Sequence, residues 1–313
     1  YACTRLISQR IATLPLNLYR VTDDGREQVR DHPLSRLLRI KPNAKLTAPL
    51  FWEAIVASIL LQRGAFIEKQ YNGAKQISSL GFLHPLRVTL DKQRDEYRFI
   101  ESDGSFRWIP QDKVIHIPAF STDGEHGMSV IEWGIEAIGT ALAADRAAGK
   151  TFNNGLLATI GFKYPKVLKD NQRDQARETI KTLSGAANAG EPIVLEADMD
   201  VVKIGISPTD SQLLESRQAG AEEICSLFGT PPVMIGRGDK ASSWASSSEQ
   251  LNLWFLYYTL MPWMRRIEAA ITDACLTPVE QLDLYVEYNV EAMLRGDSAA
   301  QREFVASALQ NGY

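Results

Sequence analysis

Hydrophobic and polar positions switch between two periods along the chain, and the switches mark its elements. Leu6, Ile7 and Ile11 share one side of a helix predicted over Cys3 to Ala12. Leu14 to Val21 then alternates with period two, which predicts a strand, and Asp23-Asp24-Gly25 predicts a hairpin turn after it. His32-Pro33 precedes a short helix over Leu34 to Arg39, stopped by Lys41-Pro42-Asn43. A further helix is expected from Pro49 to Gln62, with Thr47 as its cap and Gly64 as a left-handed stop. From Ala65 to Ile117 the pattern is strand and turn. Strands are predicted at Ala65 to Tyr71, Arg87 to Leu90, Tyr97 to Glu101, Phe106 to Ile109 and Val114 to Ile117, with hairpin signals at Asn72-Gly73 and Asp103-Gly104.

The period then lengthens. Ile131, Ile135, Ile138 and Leu142 form one apolar stripe of a long helix predicted from Val130 to Phe152, and its many alanines permit close approach of a neighbouring helix. Asn153 to Ser207 mixes a basic strand (Ile160 to Leu168), an amphipathic helix (Asn171 to Leu183), a turn at Gly185 to Gly190 and two strands around Asp198-Met199-Asp200. A second long helix is expected from Thr209 to Phe228, ending at Gly229-Thr230-Pro231-Pro232. Gly236 to Ser243 has no periodicity and predicts a mobile loop. The last clear helix, Ser248 to Ala274, carries an aromatic stripe of Leu251, Trp254, Phe255 and Tyr258 and should kink at Pro262; a final helical segment follows Asp297. The fold class is α+β, with a mostly antiparallel sheet in the first third.

Composition narrows the function classes. With 313 residues, 45% hydrophobic and 23% charged, the chain is an ordinary globular one. Its 34 basic and 38 acidic residues leave a net charge of −4, so contact with nucleic acid must be local or weak. Cys3, Cys225 and Cys275 match neither a metal spacing nor a disulfide framework, which points to a reducing cytosolic origin. The apolar run Ala54 to Leu61 is far short of the ~20 residues a membrane span needs. The chain opens at Tyr1 and stops at Tyr313, so both ends are expected to be trimmed from a longer protein.

Candidate chemistry is sparse. Gly236 to Ser243 lacks phosphate-loop spacing, because only Asp239 separates Gly238 from Lys240. His116, Asp123, Glu125 and His126 offer two imidazoles and two carboxylates to a divalent ion, but His116 alternates within a strand and Asp123-Gly124 is a turn, so no metal site is assigned. No nucleophile elbow exists, and His32 and His84 each precede a proline, which favours a conformational role. No catalytic residue and no cofactor is assigned. Arg237-Gly238-Asp239 is too short a motif to carry an adhesion function. The local basic run Lys163, Lys166, Lys169, Arg173 and Arg177 is either a solvated face or an edge for a subunit or DNA. A mobile polar loop between two strong helices suits a ring that points it at an axis.

The order of segments resembles the portal (head-to-tail connector) proteins of tailed double-stranded-DNA bacteriophages. The matching pieces are Ile11-Ala-Thr-Leu-Pro-Leu-Asn-Leu-Tyr19, His32-Pro33-Leu34 with Leu37-Leu38, Lys41-Pro42-Asn43, Val114-Ile-His-Ile117, Asp123-Gly124, Gly127-Met-Ser129 and Phe152-Asn-Asn-Gly155. Later come Asp210-Ser-Gln-Leu-Leu-Glu-Ser-Arg217, Phe228-Gly-Thr-Pro-Pro232, Leu260-Met-Pro262 and Leu294-Arg-Gly-Asp297.

The resemblance implies a mixed wing over residues 1–128, stem helices over 129–152 and 209–229, an α/β clip insert over 153–208, a tunnel loop over 230–248, and a kinked helix leading to wing and crown over 249–313. It implies a ring of copies, dodecameric in the virion, at one capsid vertex, assembled in the host bacterial cytoplasm. Its partners would be double-stranded DNA, bound without sequence preference and sliding, the terminase large subunit, the major capsid or scaffold protein and a head-to-tail adaptor, with no membrane. Arg237, Asp239, Lys240, Ser242, Ser243 and Trp244 would face the DNA, and Lys163, Lys166, Lys169 and Arg173 would form the basic edge of the clip. Two other classes stay open: a metal-dependent enzyme built on His116, Asp123 and His126, and a soluble interaction scaffold unrelated to DNA.

Overall fold

The computed structural model describes residues 1–23, 25–124, 126–153, 160–163, 174, 200–203, 210–237 and 248–294. Two compact units emerge: Tyr1–Gly134 with Cys225–Tyr313, and Ile135–Ile224. The larger is built around one apolar helix. Helix α1 (Ala2–Thr13) and strand β1 (Leu16–Thr22) lead through a hairpin to β2 (Gly25–Gln28), then to α2 (Pro33–Arg39) and α3 (Ala48–Leu61). In α3, Phe51, Trp52, Ile55, Val56, Ile59 and Leu60 are all buried, so this helix has no polar stripe and fills the centre. Ile7 and Ile11 of α1 join the same core, and Trp52 donates its Nε1–H to the Leu38 carbonyl at 3.0 Å, so the buried indole leaves no donor unmet.

Six strands follow: β3 (Gly64–Tyr71), β4 (Ile77–Leu83), β5 (Val88–Asp91), β6 (Glu96–Ile100), β7 (Phe106–Pro110) and β8 (Val114–Pro118). The strands of this unit sort into three small sheets, ordered β4-β3-β8, β5-β6-β7 and β11-β1-β2, where β11 is Leu284–Tyr288. Every pairing is antiparallel. The predicted hairpins form: Thr22 faces Gly25, and Gly104 takes φ +86° in the β6–β7 turn. At the other, Asn72 Oδ1 accepts from the backbone N–H groups of Ala74 and Gln76, and Lys75 takes the positive φ. Both His–Pro pairs act locally, since Nδ1 of His32 accepts from Leu34 N–H and Nδ1 of His84 from Leu86 N–H, each capping the turn that its proline opens.

Several expectations need correction. Thr47 precedes α3 but its side chain makes no capping bond. Gly64 does not cap that helix, which closes at Gln62; it opens β3 at φ +154°, where an added Cβ would lie 2.6 Å from the Ile117 carbonyl oxygen. The continuous helix from Val130 is two: α4 (Val130–Trp133) breaks at Gly134, and α5 (Ile135–Asn153) follows. Gly134 is a poor helix former, and a side chain there would run into Leu227.

In the smaller unit, α5 and α6 (Asp210–Leu227) lie side by side: a Cβ on Gly220 would sit 3.5 Å from the Ala141 methyl, and Arg217 Nε donates to Asp145 Oδ1 at 2.7 Å. Strands β9 (Ile160–Lys163) and β10 (Asp200–Lys203) pair antiparallel, with Lys163 opposite Asp200. The Asn171 to Leu183 helix and the Gly185 to Gly190 turn fall outside the described residues apart from the helical Asp174. So does the segment after Asp297.

Back in the larger unit, α7 (Ser248–Trp254) runs into a π-helical turn, Phe255–Leu260, and then into α8 (Met261–Cys275). Pro262 explains the irregularity: its ring cannot tolerate the α-helical carbonyl four residues back, and the backbone widens ahead of it, with Met261 N–H reaching the Leu256 carbonyl. Lys69 Nζ donates to the Ala274 carbonyl at 2.7 Å, placing a cation at the negative end of α8.

Candidate functional site

Three stretches of chain cross where β3, β8 and the Gly127-Met-Ser129 segment meet. The Arg63 carbonyl accepts from Ala119 N–H at 3.1 Å, and Met128 N–H donates to the Phe120 carbonyl at 2.6 Å. Gly127 sits in the crossing, where a Cβ would collide with the Arg63 carbonyl oxygen and lie 2.7 Å from the Ala119 nitrogen. Ser129 then starts α4 with a full capping box: its hydroxyl accepts from Glu132 N–H at 3.0 Å, and the Glu132 carboxylate accepts from Ser129 N–H at 3.1 Å. The same carboxylate takes two bonds from Arg63, which hold it below the usual carboxylate range.

This crossing presents an aromatic cleft of about 440 Å³, lined by Phe120, Met128, Trp133, Phe228, Tyr258 and Trp263 among others, with Arg266 on its wall. Phe120 and Trp133 meet edge to face at 6.0 Å. Arg266 lies over the Trp263 ring and donates to the Ala119 carbonyl at 2.6 Å. Trp133 is 64% exposed and Tyr258 71%. Large aromatics open to solvent around an arginine are the composition of a protein contact surface. The expected aromatic stripe is therefore split: Phe255 turns into the core while Tyr258 faces out. The apolar stripe of the next helix is also uncovered, with Ile135 66% and Leu142 51% exposed.

The base of the glycine-serine loop is fixed. Gly229 takes φ +61°, Thr259 Oγ1 donates to its carbonyl, and Thr230 N–H bonds the Cys225 carbonyl at 2.9 Å. A 3₁₀ turn, Pro232–Ile235, closes on Gly236 at φ +75°, and Arg237 N–H returns to the Pro232 carbonyl. Arg237 stands exposed at this lip. Asp239, Lys240, Ser242, Ser243 and Trp244 lie outside the described residues, as do Lys166, Lys169 and Arg173 of the basic edge; only the backbone position of Lys163, on β9, is described.

The candidate histidines make separate contacts. His116 stacks flat on Phe66 at 4.5 Å, and His126 Nδ1 bonds Asp123 Oδ2 at 2.8 Å; Glu125 lies outside the described residues. Among the described residues no three His, Cys, Asp or Glu side chains are placed to hold an ion. Burial first, and the neighbouring His126 second, push the His116 imidazole below its ordinary value of 6.5. The unfolded chain then binds the extra proton more readily, so this contribution to stability is intact above 6.5 and is lost as pH falls below it toward the lowered folded value. Between pH 7.5 and 5, His116→Phe, which keeps the stack on Phe66, should lose less thermal stability than the parent. Parallel melting curves would remove His116 from this role.

Sequence reasoning missed the cleft, because its lining comes from four separated segments, and missed the meeting of Cys3 with Cys225, whose sulfurs lie 3.9 Å apart.

Solved structures share this fold. The chain superposes on a protein from the neck of an empty gene transfer agent (GTA) particle with a TM-score of 0.68, at 23% identity, over 99% of this chain and 84% of that one. It likewise matches an HK97 family phage portal protein from Corynebacterium diphtheriae with a TM-score of 0.67, at 15% identity, over 94% and 93%. The fold is thus shared with these two proteins. In sequence, it is 32% identical to the portal protein of Enterobacteria phage HK97 over all of this chain and 74% of that protein. It is 29% identical to the probable portal protein of Streptomyces phage phiC31, over all of this chain and 71% of that one. The pattern of the phage portal protein family matches residues 1–313, and the chain belongs to that family.

Proposed function

We propose that the chain is the subunit of a closed ring at one capsid vertex, and that double-stranded DNA is packaged and ejected through the ring's channel. The observation that carries this reading is the uncovered apolar face of α5, whose Ile135 and Leu142 are more than half exposed in the single chain. A contiguous apolar helix face of this kind suits a contact with another chain. A head-to-tail contact between identical copies buries them and closes a ring when its rotation permits. A related neck was computed with C12 symmetry, which supports twelve copies.

In this reading α5 and α6 are the stem, residues 153–208 are the clip that docks the terminase and later the head-to-tail adaptor, and the tunnel loop over 230–248 faces the DNA. The chain carries no catalysis of its own; ATP is hydrolysed by the docked motor. Electrostatics suit a conduit. Twelve copies at −4 each carry roughly −48, which repels phosphate and keeps the duplex sliding. Arg237 at the fixed lip and Lys240 beyond it centre the DNA without gripping it. Replacing both with alanine is expected to lower the DNA retained per particle while leaving ring assembly intact. Unchanged particle yield and DNA content would refute this role for the two cations. Assembly takes place in the host bacterial cytoplasm, and no described helix is long and apolar enough to cross a membrane.

A further inference from the structure

Cys3 lies in the first turn of α1 and Cys225 in the last turn of α6, separated by 222 residues of chain. The fold brings their sulfurs to 3.9 Å, with both residues buried, 4% and 1% exposed. Both attachment points are held. Ile7 and Ile11, at 0% exposure, fix α1 in the core, and the Cys225 carbonyl accepts from Thr230 N–H at 2.9 Å. A disulfide needs the sulfurs at about 2.05 Å, so the two thiols must approach further for the bond to form. Two thiols held side by side in a folded chain meet at an effective concentration that the unfolded chain, with this long loop between them, does not provide.

We propose that Cys3 and Cys225 form a dithiol–disulfide pair that fastens the start of α1 to the end of α6. In the reduced chain they are two thiols in van der Waals contact. Oxidation breaks two S–H bonds and forms one Sγ–Sγ bond. The two protons and two electrons pass to a two-electron thiol oxidant, such as a small-molecule disulfide, which is itself reduced to two thiols. The modification adds no new contact to the native state; it removes freedom from the unfolded chain by closing a very long loop. Cys275 is the internal control. It lies elsewhere in the unit, at the end of α8, and its removal from solvent pushes its thiol up to about 12.

The test uses the whole chain equilibrated in glutathione redox buffers of graded potential, in parallel under native conditions and in urea. Tryptic digestion without reduction should then yield the peptide Tyr1–Arg5 joined to Gln218–Arg237, and the thiol count after denaturation should fall from three to one. The native chain should reach a given linked fraction at a ratio of oxidant to reductant at least about tenfold lower than the urea-unfolded chain. The melting temperature of the linked form should rise by about 5 °C or more and return on reduction. Cys3→Ser and Cys225→Ser should each abolish the linked peptide, whereas Cys275→Ser should leave it unchanged. Folding of each variant is checked by circular dichroism. Equal linkage in native and unfolded chains, no linked peptide at native equilibrium, or linkage through Cys275 would overturn the proposal.

Discussion

Ile135→Glu combined with Leu142→Glu is expected to convert assembled rings into single copies. The two residues are seven apart on α5, so they share one face, and they are 66% and 51% exposed in the isolated chain. If a sister copy covers that face, each of these side chains contributes roughly 1.5–3 kcal/mol of burial to every subunit contact. Glutamate removes that term and adds a carboxylate that must lose water in an apolar contact, a further cost of several kcal/mol unless it is paired. In a closed ring each copy makes the contact twice, once on each side, so the loss is felt at every joint. The single chain, by contrast, should fold as before, because an exposed substitution changes stability by only about 0.5 kcal/mol. Sedimentation of the doubly substituted chain should therefore give a monomer with unchanged circular dichroism. A ring of undiminished mass would mean that this helix face does not meet a sister copy.

Gly127→Val should have an equally large effect, on folding instead of assembly. The glycine stands where the Arg63 carbonyl and the Ala119 nitrogen converge on its own backbone. The new Cβ collides with backbone, which cannot swing aside as a side chain can, and the Arg63–Ala119 hydrogen bond that closes β3 onto β8 lies directly in the way. A loss of about 4 kcal/mol or more follows, equivalent to a fall of roughly 8–16 °C in melting temperature for a unit of this size. Gly139→Ala is the contrasting control. No atom lies within 4 Å of the position its Cβ would take, so the better helix former should be neutral or slightly stabilising. A Gly127→Val protein that melts with the parent would remove the crossing from the account of this fold.

Local chemistry was the part of the fold legible from residue order. Turns announced by Asp23-Asp24-Gly25 and Asp103-Gly104, and a helix opened by His32-Pro33, are decided within a few residues of themselves, and the structure has them where the pattern puts them. What depended on distant partners was not legible. Strand β11 alternates cleanly as Leu284-Tyr-Val-Glu-Tyr288, but its partner β1 lies at the other end of the chain, so nothing local says where it pairs. Strand β4, the other half of the Asn72-Gly73 hairpin, is broken in pattern by Gly81, which packs against Glu68 of β3. Strand β1 alternates in sequence, yet its first four residues are all buried. Asn17 is accommodated because it bonds the Tyr19 hydroxyl and Gln28. The break at Gly134 required knowing that Leu227 would lie against it. The same holds for function. The family motifs Gly127-Met-Ser129 and Phe228-Gly-Thr-Pro-Pro232 are readable as words, while the reason for them, a backbone crossing and a tethered loop base beside an aromatic cleft, exists only in three dimensions.

Electron cryomicroscopy of the purified full-length protein tests the central claim most directly. The account predicts closed annular particles of cyclic symmetry, with α5 of each copy covered by the next and residues 230–248 lining an opening that admits duplex DNA. Single copies, or rings whose 230–248 segment points outward while Ile135 and Leu142 remain in solvent, would contradict it.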